Sequence, residues 1–360
     1  MEMKVFTINR NNTFLLVLVI VLYLLIILYI CILLRNPISP NYPDRERSGR
    51  GLGWKELLKT WDYNFKLNIK AKEPILNSYP DEVKFILNEV HACKMDLLVL
   101  ALVVTAIKNQ KKRLFIRHTW GHSAVVKRTG IRPLFVVGQS KQHSDQLALE
   151  EESRQYHDIL QANFIDDYKN LTYKTMAILH WASTYCKNAP VLLKIDDDVI
   201  PNPFALSDYL VFYLERNPHP IQILGKLRCC DPVLREGKYA VSKNEYSGGQ
   251  YPPYVAGPSY IVPAAIIPAL LQSARGTRFH PLEDVYTTGV VAKAAGIKHK
   301  NILSLTNSDG RKIDIRWCSG ARIFQENVGL KVAAKAWNAL RKLENISQPE
   351  GDVLLENMID

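Results

Sequence analysis

Residues 191–203 read VLLKIDDDVIPNP. Four apolar side chains, Val191, Leu192, Leu193 and Ile195, surround a single lysine and lead into three consecutive aspartates, Asp196, Asp197 and Asp198. Pro201, Asn202 and Pro203 then break the run. A short β-rich apolar run bounded by turn residues reads as a buried strand. Carboxylates at its carboxyl end stand where open α/β sheets place their ligands. Their mutual repulsion is costly without a cation, and hard oxygen donors suit Mn²⁺ or Mg²⁺, which complete their shells with substrate phosphates. The expected arrangement is an aspartate pair holding a metal and a diphosphate. On this stretch alone, a solvated acidic turn or a loose calcium site explains the carboxylates equally well.

The chain has 360 residues, enough for one large domain or two small ones. Its 47% hydrophobic and 22% charged content is that of an ordinary folded protein. A net charge of +11 points to an anionic partner: a nucleotide, a nucleic acid or a membrane surface. There is no zinc-finger spacing, arginine-rich tract or RNA-binding signature, so no nucleic-acid partner is expected. The six cysteines (Cys31, Cys93, Cys186, Cys229, Cys230 and Cys318) form no CxxC pair, which argues against zinc and thioredoxin-type redox chemistry.

Phe14 to Leu34 is an uncharged apolar run of 21 residues, long enough to cross a bilayer once. Residues 32–37 (ILLRNP) offer no small-residue cleavage site, so a retained anchor is expected rather than a cleaved signal. Lys4 and Arg10 precede the run, whereas Arg35, Arg45, Arg47 and Arg50 follow it, and a simple count places the large domain on the cytoplasmic side. Two acceptor sequons, at Asn170 and Asn345, argue for the lumenal side. The expected organisation is a cytoplasmic tail (1–13), a transmembrane signal-anchor (14–34), a stem (35–80), a catalytic domain (81–345) and an acidic tail (346–360). A short helix is expected within the stem, at 54–61.

Within the domain, residues 96–107 (DLLVLALVVTAI) suit a first buried strand and 134–138 (LFVVG) a second. Helices are expected to open at 113–121 and to span 150–161, 175–186, 204–215, 264–274 and 332–343, with a further strand at 221–227. Residues 251–263 (YPPYVAGPSYIVP) have the Pro, Tyr and Gly content of an ordered substrate loop. Glu283 and Asp284 precede a small-residue helical pattern, where acidic groups also complement a helix dipole. Strands alternating with helices predict an α/β fold with a largely parallel sheet.

Six blocks occur in order: RLFIRHTWG, LFVVG, DILQANFIDDYKNLTYKT, LLKIDDDV, YPPYVAGPSYIV and LEDVYTTGVVAKAAGI. Together they resemble the β1,3-galactosyltransferase-like enzymes of glycosyltransferase family 31, over residues 96–297. The resemblance implies a GT-A-type, Rossmann-like domain behind a single transmembrane helix, in a type II Golgi membrane protein with a lumenal catalytic domain. It implies an inverting enzyme that moves galactose or N-acetylglucosamine from UDP-galactose or UDP-N-acetylglucosamine to O3 of an acceptor sugar on a glycoprotein or glycolipid. The metal it implies is Mn²⁺, with Mg²⁺ as substitute. By the same resemblance Asp284 is the expected catalytic base, with Glu283 beside it, and Asp198 the direct metal ligand. Asp196 and Asp197 are expected on the ribose or the metal's water shell. Arg113 and Arg117 are expected on the nucleotide or its phosphates, and Tyr254 and Gly257 in the acceptor loop. Trp120 is assigned to the core, and Asp166, Asp167 and Tyr168 to local structural roles.

Two positions depart from the family pattern. Val255 stands where a cysteine is usual, leaving an odd number of cysteines after the apolar run, at least one of them expected to be free or intermolecular. Cys229 and Cys230, adjacent in the chain, are not expected to bond each other. A late family histidine is absent from residues 323–327 (IFQEN), where Gln325 or Glu326 would have to substitute. The missing histidine raises the alternative of a catalytically weak or inactive member acting as a Golgi or ER chaperone or binding partner. A glycoside hydrolase using two carboxylate clusters ranks last, since it needs neither a metal cradle nor a nucleotide site.

Overall fold

The computed structural model describes residues 53–70, 72–75 and 83–347. The expected cytoplasmic tail, the anchor and most of the acidic tail lie outside them. Among the described residues no helix is long and apolar enough to cross a membrane.

The strands, in chain order, are β1 (Phe85–Leu87), β2 (Val99–Val104), β3 (Ile131–Gln139), β4 (Ile159–Ile165), β5 (Val191–Asp196), β6 (Ile200–Pro201), β7 (Gln222–Arg228), β8 (Tyr254–Pro263), β9 (Lys298–Asn301), β10 (Thr306–Asn307) and β11 (Phe324–Gln325). Eight of them form one mixed sheet in the order β1-β4-β3-β2-β5-β8-β7-β9. The centre, β4-β3-β2-β5, is parallel, while β8 runs antiparallel between β5 and β7. A small second sheet, β10-β11-β6, lies just after the aspartates.

Alternation along the strands explains the two layers. Val99, Ala101 and Val103 of β2 face one core, with Val191, Leu193 and Ile195 of β5. Helices Gln110–His118, Ser123–Thr129, Pro203–Arg216 and Leu330–Leu343 supply the other half of that core. Leu100, Leu102 and Leu192 face the opposite core, covered by helices Leu171–Tyr185 and Ile267–Arg275 and by the π-type helix Val285–Val291. Lys194 lies on this second face, between Leu192 and Asp196, because strand residues two apart share a side.

From β2 the chain winds outward through β3 to β4, then returns to place β5 on the other side of β2. The gap between the carboxyl ends of β2 and β5 is therefore the point where the winding reverses, the ligand crevice of doubly wound sheets. Val104 pairs with Asp196 in register, which sets the aspartates at that crevice.

Several expectations need correction. Residues 157–161 are not helix: the helix is His143–Tyr156, ended by left-handed His157, and β4 begins at Ile159. Residues 254–263 are not a loop but the long strand β8, in the middle of the sheet. Val255, Tyr260, Ile261 and Val262 are strand formers. Pro258 is tolerated because pairing with β5 stops at Ser259 and the β7 register breaks between Gly225 and Leu227. The expected stem also belongs partly to the domain. Helix Trp54–Lys59 buries Leu57 and Leu58, and Trp54 Nε1 donates to the Arg128 carbonyl at 3.0 Å. The chain then runs on along the domain, with Leu67 N donating to Ala265 O at 2.9 Å and Ile75 N to Arg275 O at 3.1 Å.

Candidate active site

The three aspartates leave β5 in different directions. Asp197 turns toward the exit of β2, where Thr105 Oγ1, Asn109 Nδ2 and Lys112 Nζ donate to its oxygens at 2.6, 2.7 and 2.6 Å. These bonds make Asp197 a tie between the carboxyl ends of β5 and β2. Asp196 accepts from Lys194 Nζ at 2.6 Å. Asp198 is partly exposed, and its carboxylate accepts no hydrogen bond from the described residues; its backbone carbonyl accepts Val328 N at 2.8 Å.

Lys194 is the centre of the buried electrostatics, at 4% exposure. Its ammonium also donates to Gly257 O at 2.6 Å, lies 3.6 Å from Glu283 Oε2 and sits over the Tyr260 ring. Burial opposes its charge, but Asp196 and Glu283 outweigh that and raise its pKa. Tyr260 Oη donates to Glu283 Oε1 at 2.5 Å, so Glu283 is enclosed at 7% exposure.

Asp284, by contrast, is partly exposed at the start of the π-type helix. Its Oδ1 accepts Val285 N at 2.9 Å and its Oδ2 accepts Gly257 N at 3.0 Å. Gly257 thus touches both charged groups, receiving Lys194 at its carbonyl and giving its N–H to Asp284. A Cβ there would stand 3.3 Å from Asp284 Oδ2, so the close approach favours glycine. Burial raises the Asp284 pKa against the two N–H donors and Lys194. Glu283 is raised too, by burial and then Asp284, with Lys194 opposing. Burial pushes Asp196 up to about 6, again with Lys194 opposing. Three carboxylates are thereby kept near one buried cation.

Sequence reasoning overlooked several neighbours. Lys174, buried in helix Leu171–Tyr185, donates to Thr105 O at 2.8 Å and to Asp166 Oδ1 at 2.7 Å. Asp166 and Asp167 have the expected structural roles, the latter capping the turn at Tyr168–Asn170. Tyr168 opens that turn, its carbonyl accepting Leu171 N; it is half exposed, and its hydroxyl is pushed up to about 12 by burial, by Tyr239 and by Asp284 and Asp196. Lys238 Nζ lies 5.0 Å from the Tyr168 ring centre and 5.2 Å from that of Tyr239, so the excursion between β7 and β8 reaches Tyr168. The one clue in the sequence was Lys194 itself, a charge inside an apolar strand.

Other expected site residues are placed elsewhere. Arg113 is 1% exposed. It pairs with Glu152 through Nε and Nη2 at 2.8 and 2.6 Å, and donates to the carbonyls of Ala106 and Ile107. Arg117 grips Asp158 with two bonds of 2.8 Å, donates to Glu152 at 2.7 Å and stacks 3.9 Å from the Tyr156 ring centre. Both guanidiniums tie helix Gln110–His118 to helix His143–Tyr156 and to Asp158 just after it. Tyr254 is buried and its hydroxyl donates to Asp231 at 2.6 Å, so its ring offers no open face for a sugar. Trp120 is core, as expected. Asn345 is exposed, whereas the Asn170 amide donates to Ile165 O at 2.8 Å and the sequon hydroxyl of Thr172 is buried against His280 O.

A three-carboxylate metal cradle does not form. Among the described residues no three His, Cys, Asp or Glu side chains converge on one point. Gln325 is fully buried, bonded to Asp314 N and Lys312 O, and Glu326 is held by Ser308 and Lys226. Neither replaces the absent histidine. The donor set, one carboxylate without hydrogen-bond donors, fits a hard cation bound by Asp198 together with the phosphates of a ligand, the usual manner for such ions.

Comparison with known proteins gives a consistent result. The family model described as Galactosyltransferase matches residues 111–303, more than half of the chain. UDP-GlcNAc:betaGal beta-1,3-N-acetylglucosaminyltransferase 7 of Rattus norvegicus is 33% identical over 223 residues, covering 59% of this chain and 55% of the relative. Beta-1,3-galactosyltransferase 1 of Homo sapiens is 30% identical over 223 residues, covering 61% and 67%. The chain thus spans about half the length of the first of these relatives. Among solved structures, galactosyltransferase LgtC in complex with donor and acceptor sugar analogs aligns with a TM-score of 0.34 at 12% identity, over 68% of this chain and 94% of that one. Staphylococcus aureus TarS 1–349 aligns with a TM-score of 0.34 at 12% identity, over 74% and 69%. On the family-model match over more than half of its length, the chain belongs to the Galactosyltransferase family.

Proposed function

We propose that this protein is an inverting glycosyltransferase of GT-A type that moves galactose or N-acetylglucosamine from a UDP-sugar to O3 of an acceptor sugar on a glycoprotein or glycolipid. The observation that carries the reading is the contrast between the two adjacent acids. Glu283 is enclosed by Tyr260 and Lys194, while Asp284 is partly exposed with both oxygens positioned by backbone N–H groups. A base must reach the acceptor proton, and only Asp284 of the pair is open to it.

In the proposed step the acceptor hydroxyl oxygen forms a bond to the anomeric carbon from the face opposite UDP. The bond from that carbon to the diphosphate oxygen breaks, UDP leaves with the electron pair, and the hydroxyl proton passes to Asp284. Lys194 holds Gly257 and Glu283, so Asp284 is positioned before the substrate arrives. Mn²⁺ or Mg²⁺ on Asp198 would neutralise charge on the departing diphosphate. Lys112, exposed in part and bonded to Asp197, offers a cation on the β2 side for a phosphate.

The Cys93–Cys186 disulfide supports a type II, lumenal placement in the Golgi, because such bonds persist in oxidising compartments. Asn345 is the accessible candidate for glycosylation. Turnover is favoured over a chaperone role by the intact base and the open Asp198.

The test is UDP release by a secreted form beginning at Gly51, with a panel of UDP-sugars, Mn²⁺ and acceptor sugars. Asp284→Asn is expected to lower kcat by roughly 10²–10⁴-fold. Excess EDTA is expected to abolish release, with recovery on adding Mn²⁺. Full activity of Asp284→Asn would reject the assigned base, and indifference to EDTA would reject Asp198 as a metal ligand.

A further inference from the structure

Cys229 and Cys230 follow the last residue of β7 and are both exposed. Both are free thiols in the structure, with sulfurs 2.6 Å apart, closer than an ordinary thiol contact and longer than the ~2.0 Å of a disulfide bond. Adjacent Cα atoms are about 3.8 Å apart, less than the usual span across a disulfide, so such a bond needs an irregular backbone. Cys230 supplies one: its φ of 62° lies in the left-handed region that residues with a Cβ avoid. The other cysteines do not compete for the pair among the described residues, since Cys93 is bonded to Cys186 and Cys318 is buried beside Trp317 in the core. A chain that carries one disulfide has matured where exposed thiols are oxidised.

We propose that, against the expectation from their adjacency in the chain, Cys229 and Cys230 form a vicinal disulfide. One thiolate attacks a disulfide-bearing oxidant, giving a mixed disulfide and releasing one thiol of the oxidant. The neighbouring thiolate then displaces the second, closing the Cys229–Cys230 bond. In sum the two thiols lose two protons and two electrons, and the oxidant leaves as two thiols. The closed ring fixes the left-handed turn at Cys230 and so the direction of Asp231, whose carboxylate accepts Arg228 Nε at 2.5 Å and Tyr254 Oη at 2.6 Å. Tyr254 opens β8, three residues before Gly257, so the bond secures the strand that carries the Asp284 contact.

Peptide mapping tests this directly, because trypsin leaves both cysteines in one peptide, residues 229–235 (CCDPVLR). The secreted protein is alkylated under denaturing conditions without reductant, in samples where the same map shows Cys93–Cys186 intact. The expected peptide is unalkylated, two hydrogens lighter than the dithiol, and doubly alkylated only after reduction. Double alkylation without reductant, or linkage of this peptide to another, overturns the proposal.

Discussion

At the scale of single residues, Lys194 ties the two halves of the site together. It is buried on the central strand and bonded to Asp196 and to Gly257 O, with Glu283 at 3.6 Å. It lowers the pKa of Asp196, Glu283 and Asp284, each of which burial drives upward. Removing its charge therefore raises the pKa of all three. For Lys194→Met the acid limb of the kcat/KM profile is expected to move to higher pH, because the proposed base, Asp284, must be deprotonated to act. Below the limb, the rate falls roughly tenfold for every pH unit that the limb moves. A limb that stays in place while activity falls evenly at all pH values would remove Lys194 from this role. Arg113 is the opposite case. Its guanidinium pairs with buried Glu152, so Arg113→Met is expected to cost about 3 kcal/mol of stability by leaving a buried carboxylate poorly compensated. Donor KM is expected to stay unchanged in the folded fraction, and a selective rise in that KM with unaltered melting would return Arg113 to the nucleotide site.

Among the elements, the N-terminal strap is the least expected. Residues 53–75 carry Leu57 and Leu58 into the core, and Lys72 Nζ reaches the Ala294 carbonyl at 3.1 Å. A protein starting at Asp81 would lose these contacts and expose the surface beneath them. It is expected to be less stable than one starting at Gly51. Leu57→Ala in the longer form should cost about 2–3 kcal/mol by chemical denaturation. Equal denaturation midpoints for the two starting points would mean that the strap adds nothing. Its sequence hid this role because lysines and scattered aromatics give no sustained period, and its packing rests on single bonds to distant segments. The parallel strands and the long helices were legible, since apolar alternation and helical spacing are local signals. β8 was misread because its Pro, Tyr and Gly content resembles a loop, while its pairing with β5 and β7 is a long-range fact. The acidic residues were legible as a site, but not which donors engage them. Asp197 and Arg113 look available in sequence, and only the fold brings Thr105, Asn109 and Glu152 to them.

For the whole molecule, the decisive feature is that β2 and β5 are neighbours although 86 residues separate the end of one from the start of the other. The crevice between their carboxyl ends holds the aspartates, so anything that fixes this pair fixes the site. Cys93 lies just before β2 and Cys186 just before β5, and their bond joins the amino-terminal ends of both strands across a sequence separation of 93. Closing a loop of that size reduces the entropy of the unfolded chain, by about 4–5 kcal/mol in the chain-entropy account. The double variant Cys93→Ala/Cys186→Ala leaves no stray thiol and is expected to lose stability of that order. For a domain of this size each kcal/mol moves the melting midpoint by roughly 2–4 °C, so a drop of about 10 °C is expected by calorimetry. Because the bridge lies at the opposite end of the strands from the carboxylates, kcat at a temperature well below melting is expected to stay within about twofold. An unchanged midpoint would show that the strand pairing holds the two halves together without the bond. A large loss of kcat at unchanged stability would show that the bridge tunes the crevice itself.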